Sequence, residues 1–365
     1  MSHSNSSELQ PKQNIQKVLV STPAHFVGSY QSNVTSIELS FQTSSVLFSR
    51  DENPFTRSYM VISFYVEQEY GLGNRILDID ALGDDYCTLL SILYGKEFIN
   101  HGALEAHGIH QLPNINNPIN NLYNYPQYNN NERVDLEIPL DLKYFHLVEN
   151  IMIYQPLKIN PESQRMILTA GKFYNRALGV FPNESELAYL DLITCGEMIS
   201  NFMNIEYTDE IIYDENLMRT FNKILEIDNG EKIVRDLKKR LFQVKRRFVY
   251  ALKFILNDSF FENSELTETY NGELGRLNKE NIETILKAAY DLRSHYVHSG
   301  IQFGKSVWSF HHFNETMIGR PYGYDKTVSK IIFKSPTFIG LERIMRYSLL
   351  RIIHNNGLFI SEKLN

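Results

Sequence analysis

The spacing of apolar residues changes partway along the chain, and no other sequence feature limits the fold as strongly. Before about residue 155, short runs are rich in Val, Ser, Thr and aromatic residues. In one of them Ile37, Leu39 and Phe41 alternate with polar residues, as in a half-buried strand. After that point apolar residues recur at helical spacing. The sequence therefore predicts an α+β protein, with a β-rich domain over residues 16–155 and an all-α domain over residues 156–365.

The same patterns predict the individual elements. Strands are predicted at residues 18–20, 34–41, 46–48, 59–66 and 134–154. Helices are predicted at residues 84–95, 161–180, 184–204, 216–227, 231–257, 278–298 and 336–355. Residues 1–15 are expected to be disordered. Residues 114–131, rich in Asn, Pro and Tyr, are expected to form a long loop because they cannot bury enough apolar surface to fold.

The composition indicates a soluble, cytoplasmic protein. A chain of 365 residues with 43% hydrophobic content can form two domains, each with its own core. Cys87 and Cys195 lie far apart in apolar helical surroundings, so we expect buried thiols in a reducing compartment rather than a disulfide or a zinc site. The polar N-terminus lacks an apolar signal core and no run of about 18 apolar residues occurs, so no membrane association is expected.

The predicted helix within residues 281–300 carries reactive side chains near its end. Its apolar stripe consists of Ile282, Ile285, Leu286, Ala289 and Tyr296. Arg293 falls on this stripe, where a guanidinium is costly unless carboxylates, phosphates or aromatic rings receive it. His298 follows in the last turn, at the negative end of the helix dipole. Gly300 is expected to end the helix in a left-handed conformation.

An Arg and a His separated by four residues near the end of an amphipathic helix resemble the signature of HEPN domains, which are helical bundles and in many cases ribonucleases. Similarity to other helices of the Apea-like HEPN group is found at residues 173–178, 186–200 and 341–353. The resemblance covers approximately residues 160–360, and residues 84–101 look like a segment often found ahead of such domains. It implies that the all-α domain is a HEPN bundle. Gly300 occupies the position of a Tyr that partner nucleotidyltransferases modify in toxin-type members, so regulation of that kind is not expected.

The resemblance implies a metal-independent endoribonuclease that uses no cofactor and cleaves RNA by attack of the substrate's own 2′-hydroxyl group. His298 is then the acid/base and Arg293 the cation that stabilises the phosphorane, while Ser294 and His295 assist from inside the motif. Glu197 is the expected partner of Arg293. The expected products are a 2′,3′-cyclic phosphate and a 5′-hydroxyl end. The expected setting is antiviral defence or stress, with the β-rich domain as a sensor or regulator.

Helix geometry raises a difficulty for this mechanism. Five residues turn an ideal helix through about 500°, so Arg293 and His298 point about 140° apart. HEPN ribonucleases pair their motifs across a two-fold interface, and the resemblance therefore implies a homodimer. Local unwinding of the helix before Gly300 is a second way to bring the two side chains together.

Positive charge is concentrated in the predicted all-α domain. The net charge is −7, yet residues 1–155 carry 8 basic and 17 acidic residues, against 28 and 26 in residues 156–365. One predicted helix carries seven candidates for contacts with RNA phosphates, namely Arg235, Lys238, Lys239, Arg240, Lys245, Arg246 and Arg247. The alternative is that these residues form an ordinary solvated helix face.

Other candidate sites in the chain are supported less well than the ribonuclease hypothesis. His101, His107 and His110 lack nearby Cys and the i, i+4 spacing of a helical metal site, so no metal is predicted. No complete dinucleotide fingerprint, Walker loop or nucleophile elbow occurs. Arg293 and His298 could also be a structural arginine and an ordinary helix-end histidine. A HEPN bundle that serves only for dimerisation or RNA binding, without catalysis, is the alternative function.

Overall fold

The computed structural model of the protein describes residues 13–22, 26–41, 58–67, 78–106, 109–110, 140–141, 145–152, 159–203, 213–240, 244–262, 264, 274–308, 314–358 and 360. The chain divides into two compact units, formed by residues 1–127 with 134–157 and by residues 128–133 with 158–365. The first contains the β-sheet and the second is helical, so the predicted α+β class is confirmed. None of the described helices is long and apolar enough to cross a membrane.

The first unit is built on a six-stranded antiparallel sheet. Its strands are β1 (Gln13–Thr22), β3 (Tyr30–Gln31), β4 (Thr35–Phe41), β5 (Ser58–Glu67), β6 (Ile99–Ala106) and β7 (Ile109–His110), in the order β3-β4-β5-β1-β6-β7. A parallel pair is formed by β2 (Phe26–Val27) and β8 (Leu140–Asp141). Alternate residues of the central strands, among them Val18, Val20, Met60 and Ile62, are fully buried, as the period of two in a strand requires.

The described residues of the first unit include two helices, α1 (Ile79–Tyr94) and α2 (Phe145–Met152). The Asp78 carboxylate caps the start of α1 by accepting from the Ala81 N–H group, and Gly95 ends α1 with φ +63°. Helix α1 therefore begins at Ile79, five residues before the predicted start at Asp84. On α2, buried Glu149 accepts hydrogen bonds from Tyr30 (2.9 Å) and Ser32 (2.5 Å), which tie this helix to the turn between β3 and β4.

Several predictions for this unit need correction. Residues 13–15 are not disordered, because they pair with residues 65–67 of β5; residues 1–12 lie outside the described part of the chain. The strand predicted at 134–154 is wrong over α2, where buried Leu147, Val148 and Ile151 follow a helical spacing. Strand β6 was not predicted. The predicted strand 46–48 and the predicted loop 114–131 lie outside the described residues.

The second unit is a bundle of helices. They are α3 (Pro161–Val180), α4 (Ser185–Phe202), α5 (Glu215–Leu225), α6 (Gly230–Arg240), α7 (Val244–Ile255), α8 (Asp258–Glu262), α9 (Ile282–Ser299), α10 (Lys326–Lys334) and α11 (Phe338–Asn355), with a 3₁₀ turn at Gly304–Val307. Almost every residue of α11 is buried, so this helix runs through the core, against α3, α4 and α7. The bounds predicted for α3 are correct, because Asn160 caps the helix and Pro161 occupies its first turn.

A buried ion pair fixes the loop before α10 against α11. Arg343 and Glu315 are fully buried, and Arg343 Nη1 lies 2.6 Å from Glu315 Oε1. The guanidinium also stacks on the ring of Phe260, 3.9 Å from its centroid. The other carboxylate oxygen accepts from the Leu277 N–H group at 2.8 Å. These contacts satisfy both charges inside the core, as a buried ion pair requires.

Candidate functional site

Helix α9 carries the predicted motif and keeps the predicted orientation. Ile282, Ile285, Leu286 and Ala289 of its apolar stripe are buried. The helix ends at Gly300, whose φ of +66° is the left-handed conformation that favours glycine. Its last two turns are the least buried part of the helix. The motif therefore lies where a packed helix emerges from the bundle.

Arg293 lies beside a carboxylate and an aromatic ring. Its Nη2 atom is 3.9 Å from Glu197 Oε2 on α4, so the Arg–Glu pairing expected from the resemblance is present as a loose ion pair. Its guanidinium carbon lies 5.7 Å from the centroid of the Tyr290 ring, one helical turn earlier. The Tyr290 hydroxyl donates to Glu197 Oε1 at 2.8 Å, and burial together with this bond raises the pKa of Tyr290 to about 12. Tyr290 thus holds the carboxylate beside the arginine.

Two other arginines of the bundle are held more tightly than Arg293. Arg176 donates two hydrogen bonds to Asp191, and Arg276 donates to the Phe261 and Glu262 carbonyl oxygens at 3.0 and 2.8 Å. Arg293 makes no hydrogen bond to another described residue, and 26% of its side chain is exposed. A guanidinium that has a charge partner but unused N–H donors can bind an anionic ligand without breaking a structural bond.

His298, Ser294 and His295 occupy another side of α9. His298 is exposed, whereas Ser294 and His295 are half-buried. The side chains of all three make no hydrogen bond to the described parts of the chain. These groups are therefore available to a ligand or to a second molecule.

The helix does not bring Arg293 and His298 together. It stays α-helical through Ser299, so the local unwinding considered as an alternative is absent. Within one chain the two side chains therefore point about 140° apart. If both act on one phosphate, the second group must come from another copy of the chain.

The seven predicted phosphate-binding residues do not share one helix. Arg235, Lys238, Lys239 and Arg240 are on α6, and Lys245, Arg246 and Arg247 are on α7. Residues 241–243 between them lie outside the described residues, as do the side chains of Lys239 and Arg240. One helix is predicted over residues 231–257, whereas the described residues give two, α6 and α7, so the basic residues divide into two groups.

The two groups have different surroundings. Lys238 lies over the rings of Tyr213 and Phe221 in the small core between α5 and α6, while Arg235 is exposed. At the start of α7, Lys245 Nζ lies 2.5 Å from Asp291 Oδ1 on α9, and Arg246 Nη2 lies 3.8 Å from Asp214 Oδ2. The α7 group adjoins the motif helix through this Lys245–Asp291 pair. Lys245 reaches the residue two positions before Arg293.

Two residues of this site were not foreseen from the sequence. Tyr290 is three residues before Arg293, a spacing that places both on one helix face, but a tyrosine among apolar residues is also typical of a core position. The pairing of Asp291 with Lys245 joins residues 46 apart and has no local sequence signal. His101, for which no metal role is predicted, is buried, with Nε2 2.8 Å from the Ser21 hydroxyl. No cluster of metal-ligating residues occurs in the described ranges.

Comparison with known proteins adds no assignment. No family model, no curated protein and no solved structure matches the chain. Function is therefore inferred from the residues and contacts described above.

Proposed function

We propose that this protein is a metal-independent endoribonuclease of the HEPN type, active as a homodimer. The observation that carries the proposal is the loose pairing of Arg293. This half-buried guanidinium on the motif helix lies 3.9 Å from its carboxylate partner and makes no hydrogen bond to a described residue. Arg276, which is half-buried like Arg293, instead donates hydrogen bonds to two backbone carbonyl oxygens. The exposed His298 on the same helix supplies an imidazole, a side chain that can act as a general acid or base.

The chemistry uses groups that RNA and the protein both provide. The 2′-hydroxyl oxygen attacks the adjacent phosphorus while the bond between phosphorus and the 5′-oxygen breaks. His298 accepts the proton of the 2′-hydroxyl group, and His295, three residues earlier on the same helix, gives a proton to the departing 5′-oxygen. Arg293 stabilises the negative charge that builds up on the phosphorane. The products are a 2′,3′-cyclic phosphate and a 5′-hydroxyl end, and DNA is not cleaved because it lacks the 2′-hydroxyl group.

The regular geometry of α9 supports a homodimer as the active form. Because one helix cannot direct both side chains at one phosphate, Arg293 of one protomer is combined with His298 of another across a two-fold axis. Val297, one turn after Arg293 and about 40° from it around the helix, is 47% exposed. An exposed apolar side chain beside the site is suited to contact with a second copy.

The proposal is tested with labelled single-stranded RNA in the presence of EDTA. We expect wild type to cut, and Arg293→Ala and His298→Ala not to cut. Two variants serve as matched controls. Arg219→Ala removes an arginine in an exposed ion pair with Glu215, and His354→Ala removes a histidine from the last turn of α11.

Each result of this assay has a distinct meaning. Cutting by wild type and both controls, with loss only in the two motif variants, supports the assignment. Equal cutting by all five proteins means that a contaminating nuclease is responsible and rejects it. Salt-sensitive RNA binding by wild type without any cutting rejects catalysis and favours the non-catalytic RNA-binding module.

A further inference from the structure

The face of α9 that carries His298 forms a continuous polar strip. At 100° per residue, Asp291, Ser294, His295 and His298 lie within an arc of about 100°. The first three are half-buried and His298 is exposed, so the strip is open to solvent along its length. Arg293 lies outside this arc. We call these four residues the polar strip of α9.

A lysine from the neighbouring helix extends the polar strip. Lys245 is the second residue of α7, and its ammonium nitrogen lies 2.5 Å from Asp291 Oδ1. Both side chains are partly exposed, at 37% and 40%. One turn later on α7, Phe248 packs on the Tyr290 ring with the centroids 5.4 Å apart, which fixes the start of α7 beside α9. An ammonium group has three donors and Asp291 uses one of them, so Lys245 is held in place with donors to spare.

We propose that Lys245 binds a phosphate of an RNA strand lying along the polar strip of α9, next to the phosphate that is cleaved at His298. This inference rests on the ribonuclease function proposed above for the identity of its ligand. Asp291 and His298 are seven residues apart, a distance of about 10 Å along the helix axis, and a short stretch of RNA backbone spans it. An ammonium already fixed by Asp291 loses little conformational freedom when the phosphate binds.

The chain contains a matched control for Lys245. Lys253 is also on α7 and also pairs with a carboxylate of α9, with its Nζ atom 2.8 Å from Glu283 Oε2. Glu283 is fifteen residues before His298, so this pair lies about 22 Å from the histidine along the helix axis. Removing either lysine breaks one ion pair between α7 and α9 and removes one positive charge. Only Lys245 lies beside the polar strip.

The test measures binding of fluorescein-labelled 2′-O-methyl RNA, which lacks the attacking hydroxyl group and therefore cannot be cleaved. Fluorescence anisotropy gives the association constant at several salt concentrations for wild type, Lys245→Gln, Lys245→Arg and Lys253→Gln. We expect Lys245→Gln to weaken binding about fivefold at 0.1 M salt and to reduce the slope of log K against log salt by about 0.7, the contribution of one phosphate contact on a single strand. Lys245→Arg and Lys253→Gln keep the wild-type slope. Circular dichroism checks that each variant is folded.

The failure of this inference can be distinguished from that of the ribonuclease proposal. Equal slopes for Lys245→Gln and Lys253→Gln overturn the role of Lys245, even if wild type cuts ordinary RNA. No binding of 2′-O-methyl RNA by wild type overturns it as well. A third result is that binding depends on Lys245 but wild type does not cut ordinary RNA. This result supports the phosphate contact and rejects the ribonuclease assignment.

Discussion

Replacing Arg293 by alanine should remove most of the activity while leaving the fold almost intact. The guanidinium is 26% exposed and 3.9 Å from Glu197, and exposed or partly exposed ion pairs of this kind contribute about 0–1 kcal/mol. For a unit of this size, that loss lowers the melting temperature by about 3 °C or less. Loss of one group that stabilises the charge of a transition state reduces kcat/KM about 100- to 1000-fold. Arg293→Lys keeps the charge without the planar fork and should recover part of the rate.

Arg343 provides the contrasting case of an arginine with a structural role. It is fully buried against Glu315, so Arg343→Met leaves an unpaired carboxylate in the core and should cost about 3–5 kcal/mol. The assay combines thermal denaturation with the rate of RNA cleavage for both variants. A folded Arg293→Ala protein that cuts at the wild-type rate would refute the assignment. An Arg293→Ala protein destabilised as strongly as Arg343→Met would show that Arg293 is structural.

Three further predictions concern the surroundings of the site and the core. Tyr290→Phe keeps the ring beside the arginine but loses the bond to Glu197 and should cost about 1 kcal/mol. The pKa of Tyr290 in the folded protein is about 12, above its usual value of 10. Its contribution to the stability of the fold is therefore complete below pH 10 and is lost as the pH rises through 12. Alkaline absorbance titration of wild type against Tyr290→Phe measures the pKa. Glu283 has a pKa lowered to about 2 by its hydrogen bonds to two lysines, so its stabilisation is present above about pH 4.5 and is lost as the pH falls through 2. Since the side chain is 44% exposed, unfolding of Glu283→Gln against wild type between pH 5 and 2 should show a difference below about 1 kcal/mol. Gly340→Ala places a methyl carbon 2.0 Å from the Glu315 carbonyl oxygen and should destabilise the bundle by about 1–3 kcal/mol. Thermal denaturation measures this, and an unchanged melting temperature would contradict the packing described for α11.

Helices with explicit end signals could be predicted from the sequence. Residues 161–180 have a capping Asn and a first-turn Pro, and Gly300 ends α9 because its left-handed conformation satisfies the last carbonyl groups. Helix α2 was predicted as a strand because Leu136, Ile138 and Leu140 suggested alternation that was extended through residue 154. No Gly or Pro occurs between α6 and α7, so the sequence contains no signal that separates the two helices. The amphipathic pattern therefore predicted one continuous helix.

The candidate site shows a similar limit. The position of Arg293 on a buried stripe required an anionic or aromatic partner, and the structure provides both in Glu197 and Tyr290. Which residues those are depends on how α4 packs against α9, and spacing within one helix carries no information about this. The same holds for Lys245, whose basic neighbours in sequence suggested one charged helix rather than two surfaces.

The central claim is that Arg293 of one protomer and His298 of another act on the same RNA phosphate. It is tested most directly with a heterodimer of Arg293→Ala and His298→Ala chains, co-expressed with different tags and purified through both. Each variant alone should be inactive. The heterodimer should recover about half of the wild-type cleavage rate, because one of its two symmetry-related Arg–His pairs is intact. A heterodimer as inactive as its parents would contradict the shared site.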